Sequence, residues 1–311
     1  MIQSLIVSFS VVAPLCLLVV LGMSLRKIGL IPAIAWGSIN KLVFNLFLPA
    51  LLFTNVIQSD LRSTFDPVLI LFCFLGVLTV ILVSMVMVKR FCADPKRQAV
   101  IVQGIFRSNF ALFGIPVVAA LYTDMSIMTL LIGTLVPIIN IAAVLVLDHY
   151  RHRKTNLKAT LTTVFTNPLI LATLSGLLVY LLRIPVPSFM VKTLTELAKV
   201  ASPLALVTLG AMFEFSSLKS NAKAILSVVL CRLVLVPLPL ILIALSMEYR
   251  DVALVSILAL FASPTAVSSF SMAIAMDADH ELAAQIIMAS TLLAMVTIFI
   301  WLTLFAQLNV L

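Results

Sequence analysis

Nearly the whole chain is spent on stretches of about twenty apolar residues, each long enough to cross the hydrocarbon core of a bilayer as a helix. They fall at 5–25, 34–57, 67–88, 98–122, 127–147, 160–182, 188–213, 224–246, 252–276 and 281–306, with short polar loops between them. In hydrocarbon every backbone N–H and C=O must be satisfied internally, so segments of this length have to be helices. Composition agrees: 63% of the 311 residues are hydrophobic and 10% charged, with a mean hydropathy of +1.24. The expected fold is an all-α polytopic membrane protein of ten transmembrane helices.

The first segment has no basic residue before it and no small-residue cleavage pattern after it, so it is expected to stay as a helix. The formal charge of +8 is explained by topology rather than by nucleic acid. Arg26, Lys27, Lys89, Arg90, Lys96, Arg97, Arg151, Arg153, Lys154, Lys158, Lys219 and Lys223 fall in one set of alternate loops. Only Arg62, Arg183 and Arg250 fall in the other. The positive-inside rule puts the first set in the cytoplasm and both termini outside. Cys16, Cys73, Cys92 and Cys231 are scattered, with no metal-ligand spacing, and read as free thiols.

Five helices, the basic loop DHYRHRKTNLK, then five more make two halves, 1–150 and 151–311. With an odd number of spans per half, the second must enter the membrane upside down. A shift of 154 residues places Pro14 on Pro168, Gly22 on Gly176, Pro49 on Pro203 and Asn109 on Ser263. An inverted repeat accounts for all four.

Two spans are built to break. The fourth reads RSNFALFGIP, with Arg107, Asn109, Gly114 and Pro116 where hydrocarbon is expected, and Pro116 forces a break near Gly114. The ninth reads FASPTAVSSFSM, with Ser263, Pro264, Thr265 and Ser268. Paired interrupted helices in inverted halves point to a substrate site near the midplane of a transporter. Asn45 and Asn140 are weaker candidates for the same cavity. Arg107 either neutralises a bound carboxylate or anchors the broken helix. Arg232 stands mid-segment without a partner in sequence; such a charge costs about 2.5 to 3.5 kcal/mol on insertion, so it must find a cluster of carbonyls. Lys192, Glu196 and Lys199 share a helix face and read as a salt-bridged surface rather than a site.

An enzyme fits poorly, because apart from Glu281 at the very edge of the tenth segment Glu196 is the one acid within the apolar segments, and no histidine lies inside them. No cofactor is expected, and the coupling ion, H+ or Na+, is left open. A cation/proton antiporter would be expected to place aspartates at the break, where asparagine, arginine, serine and threonine stand instead. Amides, helix N-termini and an arginine suit an anion, most simply a carboxylate.

On the motif NxxxxGIP (Asn109, Gly114, Ile115, Pro116), the run NKLVFNLFLPALLF, the SP break in the ninth segment and the turn DADHELA, the chain resembles the auxin efflux carrier family of plant PIN carriers and bacterial carboxylate permeases. The resemblance implies two inverted five-helix repeats with crossed broken helices 4 and 9. It implies a scaffold of helices 1, 2, 6 and 7 (about 5–57 and 160–213) and a transport domain of helices 3–5 and 8–10 (about 67–147 and 224–306). Pairing as a homodimer through the scaffold follows from it as well. The second break has no asparagine, which leaves the substrate open; the short central loop fits a prokaryotic permease. The functional expectation is elevator-type transport of a small organic anion such as malate, malonate or an auxin-like acid across the inner cell membrane. A receptor of the same fold that binds without transporting is the alternative.

Overall fold

The computed structural model describes residues 2–58, 66–152, 166–215 and 218–311. Arg62 and most of the basic central loop lie outside the described residues, as do the first residues expected in the sixth span. Helices α1 (Ile2–Ile28), α2 (Ala35–Ile57), α3 (Pro67–Phe91), α4 (Pro95–Phe106), α5 (Phe110–Ala119) and α6 (Ser126–His152) make up the first half. In the second half come α7 (Pro168–Leu181), α8 (Ser188–Ala211), α9 (Leu218–Ser246), α10 (Asp251–Ala262), α11 (Ser268–Ala275) and α12 (His280–Gln307). Among the described residues no strand forms, and the one extended contact is an isolated bridge between Ser108 and Thr265. Among the described residues six helices, α2, α3, α6, α8, α9 and α12, are long and apolar enough to cross a membrane. The molecule is a multi-pass membrane protein.

Local sequence sets where helices start. Asp66–Pro67, Asp94–Pro95 and Asn167–Pro168 each place a capping side chain just before a proline. The side-chain oxygens accept from Leu69 N–H at 2.9 Å, Lys96 N–H at 3.0 Å and Leu169 N–H at 2.9 Å. Proline suits the first helical position because its missing N–H would be unpaired there anyway.

Three of the prolines inside spans follow a widened turn, whereas Pro14, Pro137 and Pro203 sit within plain α-helix. Five-residue π-helical turns cover Val43–Phe47, Phe110–Gly114 and Cys231–Leu235. Each ends two residues before a proline, Pro49, Pro116 or Pro237. The extra residue in the turn moves the carbonyl with which the ring would collide one turn back. This corrects the expected break at Gly114–Pro116: the fourth span stays helical there and is interrupted upstream, at Arg107–Asn109. The ninth span is interrupted at Ser263–Val267, where the sequence places it.

Two groups of helices pack around these breaks. A Cβ on Gly22 in α1 would stand 2.0 Å from the Val207 carbonyl oxygen of α8, and one on Gly210 in α8 would stand 2.0 Å from that of Val19. The two backbones touch, as small residues permit. Gly176 of α7 meets α2 at Phe53 and Val56, so the partner of Gly22 under the 154-residue shift makes the corresponding contact in the other half. Arg26, at the end of α1, pairs with Glu214 beyond α8 at 2.8 Å.

In the other group, Arg97 of α4 donates to Asn221 Oδ1 of α9 at 2.8 Å. Asn221 Nδ2 donates in turn to Gln285 Oε1 of α12 at 2.7 Å. Lys96 meets Asp277 at 2.8 Å on the exposed end of the same group. Lys199 and Glu196 form an exposed ion pair at 2.8 Å, the surface role expected of that face.

Candidate functional site

The two interruptions meet. Asn109 N–H donates to the Pro264 carbonyl at 2.8 Å, and Ala266 N–H donates to the Arg107 carbonyl at 3.0 Å. Non-helical residues at 107–109 and 263–266 thus pair main-chain groups across the junction, which is what irregular backbone in a membrane requires. Thr265 Oγ1 donates to the Gly104 carbonyl at 2.9 Å, and Ser290 Oγ accepts from Thr265 N–H at 3.1 Å. Ser263 Oγ returns to the Ala259 carbonyl. Ser263, Pro264 and Thr265 therefore hold the junction and do not face the cavity beside it.

Arg232 reaches the junction from the π turn of α9. Its Nε donates to Ser263 O at 2.8 Å, Nη2 to Leu260 O at 2.8 Å, and Nη1 to Ile105 O and Phe106 O at 3.1 and 3.2 Å. These oxygens end α4 and α10. The cluster of carbonyls demanded by a mid-span arginine is the pair of helix C-termini.

On the opposite side the two following half-helices open onto a cavity of about 70 Å³, room for several water-sized groups at roughly 10–15 Å³ each. Phe110, Ala111 and Leu112 at the start of α5 and Ala266, Val267 and Ser268 at the start of α11 line it. Ser108, Asn109 and Asn140 add polar groups. Leu48, Leu51, Leu52 and Asn55 of α2 and Ser202 and Ala205 of α8 close the far wall. The cavity thus lies between the two helix groups.

Of the residues singled out in the sequence, Asn109, Asn140 and Ser268 face this space. Among the described residues Asn109 Nδ2 and Ser108 Oγ are buried with no hydrogen-bond partner, a costly state that a bound acceptor would relieve. Arg107, 2% exposed, sits behind the wall. Its Nη2 donates to Asn140 Oδ1 at 2.8 Å and its Nη1 to Ser269 Oγ at 3.2 Å, while Nε has no partner among the described residues. Among the described residues it makes no ion pair. With its oxygen held by Arg107, Asn140 keeps its amide donors for the cavity.

Gly114 and Pro116 shape α5 rather than the cavity. A Cβ on Gly114 would lie 2.5 Å from Met128 Cε and 3.0 Å from Ala259 Cβ, and Pro116 is exposed. Asn45 is corrected: it is exposed, donates to the Lys41 carbonyl at 2.8 Å and does not line the cavity. In an unbroken α-helix it would share the stripe of Leu48, Leu51, Leu52 and Asn55, but the π turn at Val43–Phe47 rotates it away.

Asn55, Ser108 and Ser202 are the polar lining residues that sequence reading missed. A usable signal existed: the 154-residue shift that pairs Pro49 with Pro203 also pairs Leu48 with Ser202, Leu51 with Ala205 and Leu112 with Ala266, and all six line the cavity.

Comparison with known proteins identifies the family. The family described as Membrane transport protein matches over two repeats, residues 7–158 and 150–302. An uncharacterized transporter of Methanothermobacter thermautotrophicus is 25% identical over 299 residues, covering 94% of this chain and 97% of that protein. The chain belongs to the Membrane transport protein family, that of the auxin efflux carriers, and is a membrane transporter rather than an enzyme.

Proposed function

We propose that the protein is a secondary carrier for a small organic anion, of which malate, malonate and an auxin-like acid are examples, working by elevator-type alternating access. The observation that carries this reading is the convergence of two half-helix N-termini on one cavity, beside the unpartnered Asn109 Nδ2. A helix N-terminus carries roughly half a positive charge and offers free N–H groups, so two of them favour an anion. Asn109 binds the carboxylate, Asn140 and Ser268 donate alongside it, and Arg107 orients Asn140 while adding positive potential from behind. Leu48, Leu51, Leu52 and Val136 accommodate the organic body.

In this reading ten spans form two inverted repeats, 1–150 and 151–311. The scaffold is α1, α2, α7 and α8, and the transport domain is α3–α6 with α9–α12. A cavity walled by both groups fits alternating access, since the guest then moves with one wall along the other. The scaffold is also the expected homodimer contact, the inner cell membrane the expected location with both termini outside, and H+ or Na+ the open choice of coupling ion.

The test is a thermal-shift screen of the purified protein against mono- and dicarboxylates, with and without sodium and at two pH values. It is followed by counterflow of labelled substrate in proteoliposomes. A ligand at 100 times its Kd stabilises the folded form by about 2.7 kcal/mol. Carboxylates are expected to raise Tm and to exchange across the membrane. Stabilisation by cations alone would refute the anion, and binding without counterflow would favour the receptor.

A further inference from the structure

The junction has two electrical ends, and only one of them faces the cavity. The N-termini of α5 and α11 open on it, while the C-termini of α4 and α10 converge on the buried Arg232, which is 1% exposed. Each helix C-terminus carries roughly −0.5 elementary charge, so the pair sums to about −1, the complement of one guanidinium. Four carbonyl oxygens, those of Ile105, Phe106, Leu260 and Ser263, accept from Nε, Nη1 and Nη2 between 2.8 and 3.2 Å. These acceptors come from both halves of the chain, and among the described residues Arg232 has no acidic partner.

In carriers with discontinuous helices, such unwound carbonyls and C-terminal helix ends are the groups that coordinate a sodium ion. We propose that Arg232 is a tethered counter-cation. Its guanidinium occupies the position that a coupling alkali cation would take, so the junction itself is insensitive to Na+ and excludes cations from it. Arg232 is thus a positioning and specificity residue: it holds both half-helices in register and leaves only their positive ends free. The inference rests on the junction alone and holds whatever the cavity binds.

Thermal denaturation of the purified full-length protein tests it without any substrate, so failure here leaves the anion reading to be judged separately. The wild type is expected to melt at the same temperature in sodium, lithium and choline chloride of equal ionic strength. Arg232→Lys is expected to fold and to behave likewise, because an ammonium meets the same carbonyls. Arg232→Gln is expected to melt lower in choline and to be stabilised by several degrees, saturably, by sodium, lithium or low guanidinium, none of which shifts the wild type. Sodium stabilisation of Arg232→Gln no greater than that of the wild type would overturn the proposal. So would an Arg232→Gln variant that folds and ignores every cation, or an Arg232→Lys variant that fails to fold along with it.

Discussion

Replacing Asn109 by aspartate is the sharpest probe of the sign of the guest's charge, because the two side chains have the same shape. Asn109 does not cap α5 through its side chain, and its bond to Pro264 is made by the main-chain N–H. Both Asn109→Asp and Asn109→Ala should therefore fold and reach the membrane. The alanine variant removes one donor to a charged acceptor, a loss of about 1.5–3 kcal/mol, or roughly 10- to 100-fold in Kd. The aspartate variant removes the donor and also sets a carboxylate against the bound anion. At about 4 Å and an effective dielectric constant of about 20 this costs a further ~4 kcal/mol, or roughly another thousandfold. Thermal shift with titrated ligand and tracer counterflow both read the order wild type, alanine, aspartate. An aspartate variant that binds no worse than alanine would refute the anionic guest.

Other outcomes follow from the same geometry. Arg107→Gln should weaken mono- and dicarboxylates alike, since the guanidinium acts through Asn140; a loss confined to dicarboxylates in counterflow would mean that it touches the substrate. Asn45→Ala should leave counterflow unchanged, whereas Asn55→Ala should alter its KM. Gly210→Ala must push α1 and α8 apart, because its Cβ would meet a carbonyl oxygen at 2.0 Å; overpacking of this kind costs about 1–3 kcal/mol or more, read as a lower Tm. The Lys96 ammonium bonded to Asp277 holds that carboxyl below its ordinary value of 3.8. The pair's contribution is therefore present at neutral pH and lost only as pH falls through that lowered value, so Lys96→Ala should flatten the acid limb of a stability-against-pH curve.

The apolar helices, the doubled break and the place of Asn109 at the first of them were legible because each leaves a local mark: apolar length, proline, or an amide in hydrocarbon. The position of the first break was not, since a π turn absorbs Pro116 and the chain opens instead at Arg107–Asn109, where no proline stands. The same effect turned Asn45 of α2 away from the cavity. Counting by threes and fours through Val43–Phe47 gives the wrong face for Asn45, and Asn55, two turns further on, went unnoticed. Arg232 showed in sequence only that it needed acceptors. That those acceptors end two different helices is a tertiary fact, set by residues more than a hundred positions away in the case of Ile105 and Phe106.

The bridge between Ser108 and Thr265 also governs how the molecule can be made. Until the later half of the polypeptide has been threaded into the bilayer, the amide of Asn109 and the carbonyl of Arg107 lack the mates they find in Pro264 and Ala266, and naked peptide groups are poorly tolerated in lipid. Biogenesis must keep the early hairpin shielded until its counterpart arrives. An N-terminal fragment produced on its own should be cleared by quality control, and supplying the missing fragment in trans should rescue it.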